Sequence, residues 1–260
     1  MDVSRRTEIE DRFLKDMRKL NTRQREELIL LLGNPPDPRN VPSSFWRRVE
    51  EEHRNMLVLM LLMLSTESGM KFGLGEIPAR AKATGWANLQ ASKVARKYTE
   101  NSQARLMTGL DKIYRNRLEK FGDGFTPSGR NRVAPTQKDV RELVTDIFGE
   151  TRRFDTISTE GTRAITHGTE TAAVQVGFAH EKDRWKIRPW RTSTGTCKRC
   201  KRLDGKLRSQ WGVIDPDAVN GPPIHPHCAC IIVYHLIETG QVSPSSVPEI
   251  PATFGTQLTP

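Results

Sequence analysis

The sequence predicts a mainly α-helical protein, with a helical N-terminal region followed by a small α+β C-terminal domain stapled by a zinc ion. Three observations predict this class. Apolar residues recur at three- and four-residue steps up to residue 179, which is the pattern of amphipathic helices. Apolar runs of strand type occur only after Glu181. All four cysteines lie between Cys197 and Cys230, at spacings that suit a metal ion.

Composition and charge describe a basic chain of 260 residues, with 36% hydrophobic and 28% charged residues. This length holds one large domain or two small ones. The formal net charge of +10 favours attraction to DNA or to an acidic protein surface, although general solubility explains such a charge as well. The longest apolar run, Met56–Leu64, is shorter than the ~20 residues that cross a bilayer, so no stable membrane span is expected.

Two helices are predicted at the N-terminus. The first covers residues 4–32, where apolar residues recur from Ile9 on one face. The proline-rich stretch 33–38 ends it, because proline lacks an amide donor and restricts the residue before it. A serine at position 43 or 44 then caps a second helix, which continues to about Ser68 and is expected to be buried on most sides.

A glycine-rich loop, Gly69–Gly75, is predicted to follow. It lacks the lysine and the preceding strand of a phosphate-binding loop. A third helix then covers residues 79–120, rich in good helix formers, and Gly85 is expected to divide it. Residues 122–135 contain several glycines and prolines and are predicted to form a loop at a domain boundary.

Thr136 is expected to start the next helix, with an aspartate three residues later in the position of a capping box. Residues 152–179 are predicted to form one helix or a pair broken near Gly161. His167 and Glu170 lie three residues apart, on one face of this segment. A catalytic pair is conceivable, but the sequence places no nucleophile beside them, so a structural hydrogen bond is the favoured interpretation.

The C-terminal part contains signals for strands and turns. Trp185–Trp190 alternates large apolar and basic residues, and Ile231–Tyr234 is a short apolar run, so both are predicted strands. Leu203–Lys206 is predicted to be a turn between strands, because Asp-Gly favours positive φ. Trp211 is expected to pack over the core beside the metal. The proline-rich stretch 238–260 is predicted to be an extended or disordered tail.

The cysteines and a neighbouring histidine are the strongest functional signal. Cys197 and Cys200 form a Cys-x-x-Cys pair on one tight turn. Cys228 and Cys230 precede a strand, where positions i and i+2 face the same way, so both thiols can point at the first pair. Two soft pairs separated by a loop suit tetrahedral zinc. His225 can replace either Cys228 or Cys230 as a ligand, so the sequence predicts the site but not its four ligands.

Other chemistries of the four cysteines remain open at this point. Reduced structural thiols are the main alternative to a metal site. Disulfides are less favoured, because no secretory signal begins the sequence. A redox Cys-x-x-Cys is also less favoured, since the expected βαβ context is missing.

Basic residues are densest around this cluster. Zinc-ordered basic loops commonly touch nucleic acid, whereas charged residues on a helix are more often simply solvated. The candidates for phosphate contact are Lys198, Arg199, Lys201 and Arg202 beside the cysteines, and Arg130 and Arg132 in the preceding loop.

Several motifs together resemble the phage head morphogenesis family, the Mu F-like minor head proteins. The lead is Trp190–Thr194, followed by Cys197–Cys200 and Leu203–Gly205. The final element is Pro222–Cys230, which reads Pro-Pro-Ile-His-Pro-His-Cys-Ala-Cys. Upstream, Arg163–Ala172 is similar to the family helix that carries a Thr-Glu pair. The resemblance covers about a third of the chain and differs from the family pattern at Gly195 and Ala229, where an acidic and a basic residue are usual.

This resemblance implies a minor structural protein of the virion, inside the head near the portal, which is present in host cytoplasm during assembly. The implied partners are the portal protein, the major capsid or scaffolding protein, and packaged double-stranded DNA. The protein is not expected to be an enzyme. A zinc-containing nuclease of the His/Cys type and a zinc-stapled DNA-binding protein are the alternatives.

The expected organisation has four parts. Residues 1–122 form a helical region, and residues 123–150 form a loop with a connecting helix. Residues 151–237 form the head-morphogenesis-like domain that contains the Cys/His cluster. The tail, residues 238–260, completes the chain.

Overall fold

The computed structural model describes residues 3–121, 134–176, 183–186, 197–225, 228 and 230–234, and most of them are helical. The mainly α class is therefore confirmed. The helices are α1 Val3–Leu32, α2 Ser43–Lys71, α3 Glu76–Phe121, α4 Gln137–Ile147, α5 Glu150–Val176, α6 Lys198–Lys201 and α7 Arg208–Ile214. The strands are β1 Arg184–Lys186 and β2 Ile231–Val233. Most of the predicted loop 122–135, the C-terminal part of the predicted strand Trp185–Trp190 and the tail 238–260 lie outside the described residues.

Helices α1 and α2 occur where the sequence predicts them. Gly33 has φ 76°, a left-handed conformation that glycine adopts without steric cost and that ends a helix well. The expected burial of α2 is only partly right, because Leu61 is fully buried whereas Leu59 is 58% exposed. The predicted loop Gly69–Gly75 is present but shorter than expected. Helix α2 continues to Lys71 and α3 begins at Glu76, so Gly69 lies within the helix and the loop covers residues 72–75.

Two glycines that were expected to interrupt helices do not. Helix α3 runs unbroken for 46 residues through Gly85, and α5 runs unbroken for 27 residues through Gly161. A glycine inside a helix costs about 1 kcal/mol relative to alanine. Burial of the surrounding residues offsets such a cost: Ala83 and Ala87 beside Gly85 are at most 1% exposed, and Thr162 beside Gly161 is 1% exposed.

Helix α4 begins with the predicted capping box. The backbone N–H of Asp139 donates to Thr136 Oγ1 at 3.2 Å, and the N–H of Thr136 donates to Asp139 Oδ2 at 2.7 Å. Each side chain thereby satisfies a backbone donor at the helix start. The helix has an apolar face, since Val140, Val144 and Ile147 are buried.

The chain forms two compact units. The first, here called the cysteine unit, comprises residues 1–6, 62–84 and 158–260. The second, the helical unit, comprises residues 7–61 and 85–157. The cysteine unit therefore includes residues 62–84, which lie within the N-terminal region of the sequence-based division.

The helical unit has a core of aliphatic and aromatic side chains from α1, α2, α3, α4 and the residues that flank them. Its members are Leu28, Leu32, Val41, Phe45, Trp46, Val49, Tyr98, Leu106, Leu110, Val140, Val144, Ile147 and Phe148. No helix among the described residues contains an apolar stretch long enough to cross a membrane.

The cysteine unit contains a two-stranded antiparallel sheet, in which Trp185 pairs with Ile232. Its core joins the cysteines to apolar side chains: Ala173, Cys200, Leu203, Trp211, Ala218, Ile224, Cys228, Cys230, Ile232 and Tyr234. The predicted packing of Trp211 against this core is confirmed, since its side chain is fully buried. The turn at Gly205 has the expected positive φ of 72°, but it connects α6 to α7 and not two strands.

Candidate metal centre

Five side chains with soft or borderline donor atoms converge in the cysteine unit. Cys197, Cys200 and His225 form one group, and Cys200, Cys228 and Cys230 form another. Within each group, the donor atoms all lie within 4.8 Å of one another. Cys200 belongs to both groups, so its thiol lies at the centre of the cluster. The predicted approach of the two cysteine pairs is confirmed.

Local backbone structure positions the first pair. Cys197 precedes α6, and its carbonyl accepts the N–H of Lys201 at 2.9 Å. The carbonyl of Cys200 accepts the N–H of Leu203 at 3.0 Å. These turns place Cys200 in the core at 2% exposure, while Cys197 is exposed. A Cys-x-x-Cys sequence on one short helical turn therefore presents one surface thiol and one buried thiol.

The second half of the cluster lies just before β2. The N–H of Cys228 donates to the carbonyl of His225 at 3.2 Å, which folds His225 back toward the cysteines. Thr162 on α5 donates its hydroxyl hydrogen to the carbonyl of Cys228. Cys228 and Cys230 are 1% and 4% exposed. A turn and a contact with α5 thus fix this segment.

The donor set and its distances fit a tetrahedral metal ion after small movements. Zinc–sulfur bonds of about 2.3 Å imply sulfur–sulfur separations of about 3.8 Å in a tetrahedron. The distance from Cys200 Sγ to Cys228 Sγ is 3.9 Å, close to that value. The distance from Cys200 Sγ to His225 Nε2 is 2.9 Å, which must lengthen by about 0.6 Å when both atoms bind zinc.

The two groups set a limit on the ligand set. Among the described residues, no four donor atoms lie within 4.8 Å of one another, since each group has three members. Within the described part of the chain, a fourth cysteine or histidine ligand at either group must therefore move in from the other group. Cys200 is the one ligand that either arrangement requires.

The thiols of the second group interact strongly with each other. Hydrogen bonds with Cys200 and Cys230 lower the pKa of the Cys228 thiol. The same contacts with Cys228 and Cys230, together with burial, raise the pKa of the Cys200 thiol. The hydrogen bond between these two thiols thus favours the thiolate of Cys228 over that of Cys200. A bound cation would favour deprotonation of all its thiol ligands, because metals bind the thiolate form.

The disulfide hypothesis does not hold in this structure, where all four cysteines are free. The Cys200–Cys228 sulfur separation of 3.9 Å is nearly twice the length of an S–S bond, about 2.05 Å. Metal binding and reduced thiols, whether structural or redox-active, are the interpretations that this geometry leaves open.

His167 and Glu170 form structural hydrogen bonds with different partners. His167 Nδ1 lies 2.9 Å from the hydroxyl of Ser65, and burial lowers the pKa of His167 to about 4. Glu170 accepts a hydrogen bond from Arg208 at 2.6 Å and another from the Tyr234 hydroxyl at 2.7 Å. Glu170 therefore connects α5 to α7 and to the end of β2.

The basic residues beside the cysteines fall into two kinds. Lys198 and Lys201 are exposed. Arg199 instead contacts Asp215 and Asp217, and Arg202 donates to the carbonyl of Ile214 at 3.0 Å. The remaining candidates for phosphate contact, Arg130 and Arg132, lie outside the described residues.

Sequence reasoning missed the acidic partners of Arg199. The signal was present, because Asp215-Pro216-Asp217 places two carboxylates shortly after the basic segment, which ends at Arg208. Its meaning depended on a long-range contact, since Arg199 and Asp215 lie 16 positions apart. Comparisons of this chain with protein-family models, curated proteins and solved structures found no match.

Proposed function

We propose that this chain is a minor structural protein of a tailed-phage head, which binds the portal or the inner capsid surface during assembly. The supporting observation is the convergence of the Cys-x-x-Cys pair with His225, Cys228 and Cys230. These residues carry the resemblance to the phage head morphogenesis family, and their convergence supports a structural role for the motif.

In this proposal the Cys/His cluster binds one zinc ion as a structural staple. Sulfur and imidazole donors suit zinc, and the three cysteines of the second group are buried. Five donors are present for a four-coordinate ion, so protein ligands can fill every position. A closed site of this kind stabilises a fold and does not activate water. The proposed mode of action is therefore binding and not catalysis.

The proposed protein partners are the portal protein and the major capsid or scaffolding protein. Packaged double-stranded DNA is a further proposed contact, supported by the exposed Lys198 and Lys201 beside the cluster and by the net charge of +10. Such lysines attract phosphates without reading sequence. The proposed location is the head interior near the portal, after assembly in the host cytoplasm.

Quantitative mass spectrometry of purified, DNA-filled particles tests this function. We expect a small and reproducible number of copies per portal ring. Complete absence from the particle would refute the proposal, and a DNA-cleavage assay with added divalent metal would then test the zinc nuclease. A nuclease needs a general base beside a metal with an open position. Its DNA cleavage should therefore depend on a histidine and should persist when zinc saturates the Cys/His cluster.

The zinc component has its own test. Elemental analysis of protein purified under reducing conditions should give about one zinc per chain, the content of a single four-ligand site. A metal-free protein that does not take up zinc would show that the cluster consists of reduced structural thiols.

A further inference from the structure

Arg199 lies between the two cysteines of the Cys-x-x-Cys pair, and its guanidinium binds groups far along the chain. Its Nε and Nη2 both donate to the Asp215 carboxylate, with Nη2 to Oδ1 at 2.6 Å. Nη2 also donates to Asp217. Nη1 donates to the carbonyl of Ile224 at 3.1 Å. One side chain therefore contacts two carboxylates and a backbone carbonyl.

The last of these contacts bears on the metal centre. Ile224 directly precedes His225, whose Nε2 lies 2.9 Å from Cys200 Sγ. Cys200 directly follows Arg199 in α6. The guanidinium thus joins the turn that carries Cys197 and Cys200 to the segment that carries the histidine.

The surroundings of Asp215 restrain both its carboxylate and the bound Arg199 guanidinium. Its side chain is 7% exposed, against 38% for Arg199, so the pair is sheltered from full solvent screening. The Asp215 carboxylate also accepts the backbone N–H of Asp217 at 3.1 Å, which fixes its orientation. A planar guanidinium matches a carboxylate through two parallel hydrogen bonds, which a lysine ammonium cannot reproduce.

We propose that Arg199 is a positioning residue for the metal centre, which holds the His225 segment against the Cys-x-x-Cys turn so that the imidazole and Cys200 stay together. This inference rests on the metal site of the proposed function. It also separates Arg199 from Lys198 and Lys201, with which the sequence grouped it as a DNA contact. Groups that orient metal ligands typically change metal affinity by about 10- to 100-fold when they are removed.

The test compares three variants of the full chain with the wild type. Arg199→Gln removes the guanidinium, and Asp215→Asn weakens its main partner without touching α6. Lys201→Gln is the matched control, since it removes the same charge from an exposed position on the same short helix. Zn²⁺ affinity is measured by competition with a chromophoric chelator. We expect Zn²⁺ binding to be about 10- to 100-fold weaker for Arg199→Gln and Asp215→Asn. For the control, Zn²⁺ binding should be less than about 2-fold weaker, because Lys201→Gln removes only a solvent-exposed charge.

Cobalt substitution adds a spectroscopic measurement that a loss of stability alone would not change. The visible absorption of bound Co²⁺ reports whether an imidazole nitrogen is among the ligands. We expect Arg199→Gln to change this spectrum in the direction of His225→Ala, while Lys201→Gln keeps the wild-type spectrum. Wild-type affinity and an unchanged spectrum in Arg199→Gln would overturn the inference.

The conservative variant Arg199→Lys provides a test in case Arg199→Gln does not fold. It keeps the charge but loses the two-pronged contact, so it should fold and still bind Zn²⁺ about 10-fold more weakly than the wild type. Wild-type affinity in Arg199→Lys would show that charge alone is sufficient, which contradicts the proposed positioning.

A metal-free readout distinguishes failure of this inference from failure of the zinc proposal. If the wild type takes up no Zn²⁺, the rate of Cys200 alkylation is compared by peptide mass spectrometry. Release of the His225 segment should expose the buried Cys200 thiol and raise this rate at least about 10-fold in Arg199→Gln, since alkylation follows thiol accessibility. Equal rates in Arg199→Gln and Lys201→Gln would overturn the positioning role with or without a metal.

Discussion

His53 makes the stability of the helical unit depend on pH. Its side chain is fully buried. Its Nε2 lies 3.1 Å from Gln24 Oε1, and because Gln24 Nε2 donates to Glu52 at 2.8 Å, the oxygen of that amide must face the histidine. His53 therefore donates from Nε2. Among the described residues its Nδ1 has no hydrogen-bond partner, so a second proton there would find no acceptor.

Burial and a nearby cation both disfavour the charged imidazole. The His53 and Tyr98 rings lie 4.2 Å apart, centroid to centroid, and the Arg152 guanidinium lies 3.9 Å from the centre of the Tyr98 ring. Desolvation, and secondarily the charge of Arg152, lower the pKa of His53 to about 3. An unfolded chain binds the proton near pH 6.5. The unfolded state is therefore favoured as the pH falls from 6.5 toward 3, and stability is restored above pH 6.5.

The magnitude follows from these two pKa values. Each pH unit below 6.5 costs about 1.4 kcal/mol while the folded histidine stays neutral. Going from pH 7 to pH 5 should therefore lower the free energy of unfolding by about 2 kcal/mol through His53 alone. Urea unfolding at pH 7 and pH 5, followed by far-UV circular dichroism, measures the difference for the wild type and for His53→Gln.

We expect the pH-dependent loss to be about 2 kcal/mol smaller in His53→Gln. Between pH 7 and pH 8 the free energy of unfolding should depend on pH equally in the two proteins, because His53 titrates little there in either the folded or the unfolded state. An equal loss in both proteins, or an NMR titration of the His53 ring near pH 6.5, would refute the reasoning.

Three further predictions concern the cysteine unit, and Gly85 of the helical unit serves as a control for one of them. Gly168→Ala should lower the free energy of unfolding by about 2 kcal/mol or more, because its Cβ would lie 2.1 Å from a backbone oxygen of α2. Gly85→Ala, where no atom lies within 4 Å of the new Cβ, should raise it by about 0.5–1 kcal/mol; urea unfolding of both variants checks the contrast, and equal effects would contradict it. Cys200→Ser should abolish Zn²⁺ binding in chelator competition, since this thiol belongs to both groups, whereas Cys197→Ser should only weaken it; the reverse order would contradict the central place of Cys200. Glu170→Gln should cost about 2 kcal/mol in urea unfolding at pH 7, because it weakens a mostly buried charged hydrogen bond while Arg208 keeps its second ion pair with Asp183; a loss below about 1 kcal/mol would mean that the pair behaves as a surface contact.

The helices were largely predictable because their signals are local. Apolar periodicity, the proline-rich stretch after α1 and the capping box at Thr136 act within a few residues of each other. The positions of Gly85 and Gly161 were misread for the same reason. A glycine signals a helix break by local propensity, but burial of its helix can offset a cost of about 1 kcal/mol.

The convergence of the cysteines was predictable from spacing, because a Cys-x-x-Cys turn and an alternating Cys-x-Cys each present two thiols on one side. The sequence left the ligand set open. The structure places Cys200 in both groups and brings His225 to it, contacts between segments that are 25 positions apart in the chain.

Local propensity and residue spacing were sufficient to predict the mainly α class, most helix positions and the cluster of candidate metal ligands. Tertiary packing was needed to show that residues 62–84 belong to the cysteine unit and that Arg199 binds Asp215. It was also needed to show that His53 is buried with no acceptor for a second proton among the described residues. Each of these depends on which distant segments meet. Residue spacing does not encode which distant segments come into contact, because burial and charge pairing depend on the whole fold.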